Sequence, residues 1–345
     1  MGDEVIDWKV TEMGRRDATP VFLAGLCQGS YLDLYIPGFS AQYGGTMTRQ
    51  RMKADEFPQE VLTLFDKYVH GMIDRRAFLD ESAKFAVGGM TAMGFLDALS
   101  PEYAWAVEVP EDDERVHLEY VEYHSPNGSG TMRGYMARPT GSSGPWPAVL
   151  VIHENRGLNP YVEDVVRRFG AAGFLAFGPD ALTPLGGYPG TDDEGRTMQR
   201  ELDRATMTED FVAAAEFLME HGESTGRVGS VGFCFGGGMV NTLAVRLPAL
   251  GAGAPFYGSQ PTAEDVPSIQ APLQIHYAGL DERVNAGWPA YEAALEAAGK
   301  TFTMHMYPEV NHGFHNDTTP RYDRAAAQLA QQRTIDFFRE HLASE

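Results

Sequence analysis

From about residue 115 onward the chain alternates short apolar runs of strand length with helical stretches, and this alternation restricts the possible folds more than any other feature. VHLEYVEYH alternates with period two, and TMRGYMARP follows it after Pro126-Asn127-Gly128, which predicts an antiparallel edge hairpin. PAVLVIHE is a continuous apolar run suited to a central strand covered on both faces, GFLAFG reads as a second buried strand, and GRVGSVGF, AGAPFYG, PLQIHYAG and TFTMHMYP read as further strands. Between them lie helical segments: about Pro160 to Ala172, a long one holding Phe211, Ala214, Ala215 and Leu218, one with Met239, Val240 and Leu243, an alanine-rich one, and the terminal YDRAAAQLAQQRTIDFFREHL. The predicted class is α/β, a doubly wound, mostly parallel sheet. The Gly/Pro-rich stretch from Pro179 to Gly195 is expected to be an excursion without regular structure.

Upstream the pattern is different. Residues 1–110 read as an N-terminal extension and 111–345 as the α/β domain, with the boundary in the linker Pro101 to Asp113. Residues 1–50 are expected to be loop-rich. FPQEVLTLFDKYVHGMI places Val61, Leu62, Leu64, Phe65, Tyr68, Val69 and Met72 on one helical face, so a helical pair is predicted here. Arg75-Arg76 before Phe78 and Leu79 also resembles a twin-arginine export motif, although Asp80, Glu81 and Asp97 interrupt it. Cytoplasmic location is expected, with the periplasm as the alternative. A net charge of −21 opposes binding to nucleic-acid backbones or anionic membranes, so a small-molecule partner is expected and a homo-oligomer is left open. Two cysteines, Cys27 and Cys234, cannot make a disulfide framework.

Cys234 has a telling context. Gly232-Phe233-Cys234-Phe235-Gly236-Gly237 falls between a predicted buried strand and a helix, where glycines permit the sharp turn that projects a nucleophile. Cys27 has a similar local Gly-x-Cys-x-Gly pattern but no βαβ unit before it, and reads as structural. In this fold an acid and then a histidine follow the nucleophile, each after a later strand. Asp281, after PLQIHYAG, and His312, after TFTMHMYP, stand in that order. Asp281 could equally cap a helix, and His312 could be a plain loop residue. His312 and His315 look faintly like a metal pair, but no cysteine or carboxylate cluster at ligand spacing accompanies them, so no metal is expected. Glu154 ends the first buried strand at the same sheet edge as Cys234.

Through VIHENRG, FGPD, VGFCFGGG, AGLDERV, YPEVNHGFHND and QQRTIDFF, residues 115–342 resemble the dienelactone hydrolase (carboxymethylenebutenolidase) family, in a longer bacterial form with an N-terminal extension. The resemblance implies an α/β-hydrolase fold and a cofactor-free hydrolase that cleaves carboxylic esters or lactones through an acyl-cysteine intermediate. Carried over by motif, the catalytic residues are Cys234, Asp281 and His312, with Glu154 contacting the resting cysteine and the backbone N–H groups of Phe235 and Asn155 forming the oxyanion hole. Phe314, Tyr257 and Arg156 are expected to bind substrate. Pro184 and Asn316 occupy positions where the family places carboxylate-binding arginines, which argues against dienelactone itself; Arg156, Arg283 or Arg321 could replace them. The alternatives are an acyl transferase on the same fold and an inactive binding protein.

Overall fold

A computed structural model of the chain describes residues 52–86, 90–103 and 107–343. The chain reaches its sheet through three short helices, α1 (Gln59–Val69), α2 (Arg75–Ser82) and α3 (Ala92–Leu99). Asp74 and Thr91 cap α2 and α3 by accepting from Ala77 N and Gly94 N, which satisfies amides that a helix start leaves open. The three helices bury a core of their own, with Phe65, Tyr68, Phe78, Phe95 and Leu99 among its members. Phe78 is fully buried, and Arg75 opens α2, so the twin-arginine-like segment is part of a packed helix. Met72, expected on the apolar face of α1, lies beyond the helix end and is 59% exposed. No helix among the described residues is long and apolar enough to cross a membrane. The loop-rich reading of residues 1–50 and Cys27 fall outside the described residues.

The sheet has eight strands: β1 (Val116–Ser125), β2 (Gly130–Pro139), β3 (Trp146–Ile152), β4 (Leu175–Pro179), β5 (Ser224–Phe233), β6 (Ala252–Phe256), β7 (Leu273–Ala278) and β8 (Phe302–Tyr307). Their order is β1-β2-β4-β3-β5-β6-β7-β8; β1 and β2 form the antiparallel edge hairpin, β2 meets β4 antiparallel, and all later pairs are parallel. This is an α/β-hydrolase-type fold. Period-two alternation sorts β3 between the layers: Ala148, Leu150 and Ile152 face one core, Val149 and Val151 the other. The first core is closed by α6 (Arg204–Glu220), α7 (Phe235–Arg246) and α9 (Trp288–Ala297), the second by α4 (Pro160–Ala171) and α10 (Arg324–Leu342). Each buried strand residue of this kind contributes about 1.5–3 kcal/mol, which is why no polar side chain interrupts these faces of β3. The predicted excursion is shorter than expected, because α5 (Asp192–Glu201) begins within it; its sequence DDEGRTMQRE has too few apolar residues to show a periodic face, and Asp192, Arg196 and Gln199 are buried by ion pairs and hydrogen bonds instead.

Candidate active site

Parallel strands deliver their C-terminal ends to one edge of the sheet, and the site is built there. β5 ends at Phe233 and α7 starts at Phe235, so the chain must reverse within Cys234, which takes φ +57° and ψ −110°. That backbone is strained for a residue with a side chain, and it persists because its surroundings are fixed. A Cβ on Gly232 would lie 2.3 Å from Gly236 O, and one on Gly236 the same distance from Ile152 O, so both glycines are required for the turn to lie against β3. Cys234 is a free thiol, 9% exposed, at the N-terminus of α7.

Asp281 caps α8 (Glu282–Asn285) by accepting from Val284 N at 3.1 Å, and its other oxygen accepts from His312 Nδ1 at 2.6 Å. Cap and orienting carboxylate are therefore one residue. Burial opposes its ionisation, but the charge and hydrogen bond of His312 outweigh burial and hold the carboxyl below the usual range. With Nδ1 committed to Asp281, His312 presents Nε2 to the thiol side, and that atom is buried without a hydrogen-bond partner. The ring packs 4.8 Å from that of Tyr257.

The hydrogen bond of the thiol goes to a residue that the sequence reading missed. His70, at the C-terminal cap of α1, places Nε2 3.1 Å from Cys234 Sγ. Its Nδ1 donates to Asp66 O at 2.7 Å and lies 3.2 Å from the Asp66 carboxylate, which is paired with Arg283 and faces Arg321. Burial works against the His70 imidazolium, but the charge of Cys234 and hydrogen bonds to Asp66 and Cys234 outweigh it and lift its pKa to about 9. α1 is tied down along its length by Gln59 to Asn311 and by Asn155 to Val69 O. The signal for His70 was in the sequence: Asp66 stands one helical turn before it, off the apolar stripe that drew the helix prediction.

The structure relocates several expected site residues. Glu154 is buried, but its carboxylate bonds to the Arg156 guanidinium and to Asn316 Nδ2, and His70 takes the place beside the thiol expected of it. Arg156 does not reach the cleft. It is buried between Glu154 and Asp192, whose two charges it must balance in a site with little solvent. Phe314 is fully buried behind Tyr257, 5.5 Å between ring centroids, and shapes the wall without lining it. His315 bonds to Tyr161 and Gln331 and belongs to the core. Tyr257 does line the cleft, a space of about 400 Å³ that also receives Cys234, His70, His312, Asn155 and Phe235. Arg200, Arg204 and Arg283 are at its walls, with no Asp or Glu among its lining residues. His70, Cys234 and His312 bring their donor atoms within 4.8 Å of one another, a spacing that a thiophilic cation could use. Arg283 Nη2, 3.1 Å from His70 Nε2 and 3.3 Å from His312 Nδ1, already brings positive charge to that space, so the arrangement suits acid–base chemistry better.

A strand-to-helix turn carrying a thiol beside an Asp-held histidine, on this sheet, defines a hydrolase of the α/β type. Residues 132–342 match the Dienelactone hydrolase family, and residues 47–87 separately match a family described as YqhI-like. The chain belongs to the dienelactone hydrolase family, and it is an ester or lactone hydrolase of that kind. A protein of Escherichia coli strain K12, provisionally named hydrolase fragment YghX, is 53% identical over 114 residues, 33% of this chain and 97% of its own. A provisionally named carboxymethylenebutenolidase of Methylorubrum extorquens is 29% identical over 275 residues, covering 75% of this chain and 93% of that one. Among solved structures, a provisionally named dienelactone hydrolase of Klebsiella pneumoniae aligns with a TM-score of 0.57 at 26% identity, over 64% of this chain and 98% of its own.

Proposed function

We propose that the protein cleaves small carboxylic esters or lactones through an acyl-cysteine intermediate, with Cys234 as nucleophile, His312 as an acid–base residue and Asp281 holding His312. The observation that carries this reading is the strained Cys234 turn, which sets Sγ among imidazole nitrogens at the mouth of a cleft. The N-terminus of α7 favours negative charge on sulfur. The N–H groups of Phe235 and Asn155, at the start of α7 and after β3, are the proposed oxyanion donors. Three arginines and no carboxylate around the cleft, in a chain of net charge −21, favour a substrate that carries an anionic group near its ester. We place the α/β domain at residues 111–345 with residues 1–110 as an N-terminal extension, and the enzyme in the cytoplasm; burial of Phe78 within α2 supports a folded role for the Arg75-Arg76 segment.

The test is a panel of neutral and anionic esters and lactones, run on the wild type and Cys234→Ala, with mass spectrometry of the quenched enzyme. Turnover that disappears with the thiol, and an acyl adduct mapped to Cys234, are the expected results. Wild-type turnover in Cys234→Ala would overturn the covalent reading, and an adduct that passes to an added alcohol in preference to water would make the protein an acyl transferase.

A further inference from the structure

Two Asp–His pairs converge on one thiol. Asp281 and His312 come from the ends of β7 and β8, with carboxylate and Nδ1 hydrogen-bonded; Asp66 and His70 come from α1 and its C-terminal cap, where His70 Nδ1 bonds to the Asp66 main-chain oxygen and the carboxylate lies 3.2 Å away. Each histidine is held through Nδ1, so each offers Nε2, and the two rings meet edge to face with centroids 4.8 Å apart. Their surroundings differ. His70 Nε2 is engaged with Sγ, while His312 Nε2 is buried and unpartnered. His70 also sits at the C-terminus of α1, where the carbonyl ends of the helix favour an imidazolium.

We propose that His70, held by Asp66, is the base that takes the Cys234 proton, and that the two Asp–His pairs divide the half-reactions, His70 serving acylation and His312 deacylation. This rests on the covalent reading above. In acylation the S–H bond breaks and its proton passes to His70 Nε2. The sulfur pair forms the C–S bond while the carbonyl pair moves to oxygen, and on collapse the acyl C–O bond breaks, the leaving oxygen taking the proton from His70. In deacylation His312 Nε2 takes a proton from water as the hydroxide oxygen adds to the thioester carbon. The C–S bond then breaks, its pair returns to sulfur, and the His312 proton restores the thiol. One water is consumed, and one alcohol and one acid are released. The elevated pKa of His70 fits an imidazole able to hold the proton that it takes from the thiol. The charged and titratable groups facing it are Asp66 on its own helix, Cys234 at the turn, His312 after β8, Arg283 on α8, Arg321 against Asp66, and Arg200 of α5, whose guanidinium lies over Gly71.

The experiment compares the full-length wild type with His70→Gln, Asp66→Asn and His312→Gln. Iodoacetamide labelling, mapped by peptide mass to Cys234, is followed at pH 7 and pH 10, because only the thiolate reacts. Expected at pH 7 is a loss of at least about tenfold in His70→Gln, a smaller loss in Asp66→Asn and little change in His312→Gln. At pH 10 the thiol ionises unaided, and His70→Gln should approach the wild type; a variant that had merely misfolded or blocked the cleft would stay slow. Single-turnover mass spectrometry with p-nitrophenyl acetate should show adduct formation slowed about 10²-fold in His70→Gln, and acyl-Cys234 accumulating in His312→Gln. The proposal is overturned if His70→Gln labels like the wild type at pH 7, if its deficit persists at pH 10, if His312→Gln suffers the larger labelling loss, or if the wild type carries one equivalent of a divalent metal that His70→Gln lacks. Wild-type enzyme that gives no acyl adduct, while the labelling contrast stands, would instead refute the covalent hydrolase.

Discussion

Phe78→Ala should open the helical segment without unfolding the sheet. Phe78 is fully buried and packs 6.1 Å from Phe65 and 5.8 Å from Tyr68, ring centroid to centroid, within the core that α1 to α3 form among themselves. Truncating a buried phenylalanine costs about 3–5 kcal/mol. At 1.4 kcal/mol per factor of ten, the local opening equilibrium shifts by roughly 10² to more than 10³. Leu150, Ile152 and Val231 lie in the two other cores and share no contact cluster with Phe78, so β3 and β5 should keep their protection. Hydrogen exchange read by mass spectrometry measures this: faster exchange in α1, α2 and α3, unchanged exchange in β3 and β5, and slower Cys234 labelling at pH 7 as His70 is withdrawn. Equal acceleration in helices and strands, or none in either, would refute the reasoning.

Gly236→Val should abolish the folded elbow, since its Cβ would stand 2.3 Å from Ile152 O and backbone cannot yield; soluble expression and melting report it. Arg156→Leu leaves Glu154 and Asp192 buried without their counter-charge, at a cost of about 3–5 kcal/mol, and calorimetry should show a fall in Tm on the order of 10 °C. Burial, then Arg168, depresses the His315 pKa from 6.5 to about 3, so the unfolded chain takes up this proton first; its stabilising effect is complete above pH 6.5 and is lost as pH falls toward 3. Urea denaturation of His315→Gln should therefore show a gap from the wild type that narrows by about 2 kcal/mol between pH 6.5 and 5.0. Joint replacement of Arg200 and Arg204 by alanine should raise KM for anionic esters severalfold while leaving neutral esters within about twofold, as removal of a rim charge screened by salt predicts.

The sheet was legible because β3 and β4 are continuous apolar runs, because the later strands are short segments bounded by turn residues, and because the parallel class follows from their alternation with helices. The Cys234 turn and the order Cys234, Asp281, His312 were legible for the same reason: sheet topology carries strand ends to one edge, so sequence order converts into position. Residues whose placement depends on packing were not. Arg156 reads as a loop cation, yet two buried carboxylates claim it, and one of these, Glu154, was expected at the thiol. α5 is held by Arg196 and Gln199 in place of an apolar stripe. His70 caps a helix that docks on the sheet edge through side chains far away in the sequence, among them Asn311, Asp193 and Arg321, and no periodicity encodes partners that distant.

Because α1 is joined to the rest of the chain covalently, His70 meets Cys234 as a tethered reagent. A covalent connection raises the effective concentration of the group it carries, so the dock need not be as tight as one between separate molecules. α1 is held there by Gln59, Asp66, Tyr68, Val69 and His70. An imidazole delivered this way comes from outside the eight strands, so replacing His70 changes the chemistry at Cys234 without changing any strand residue.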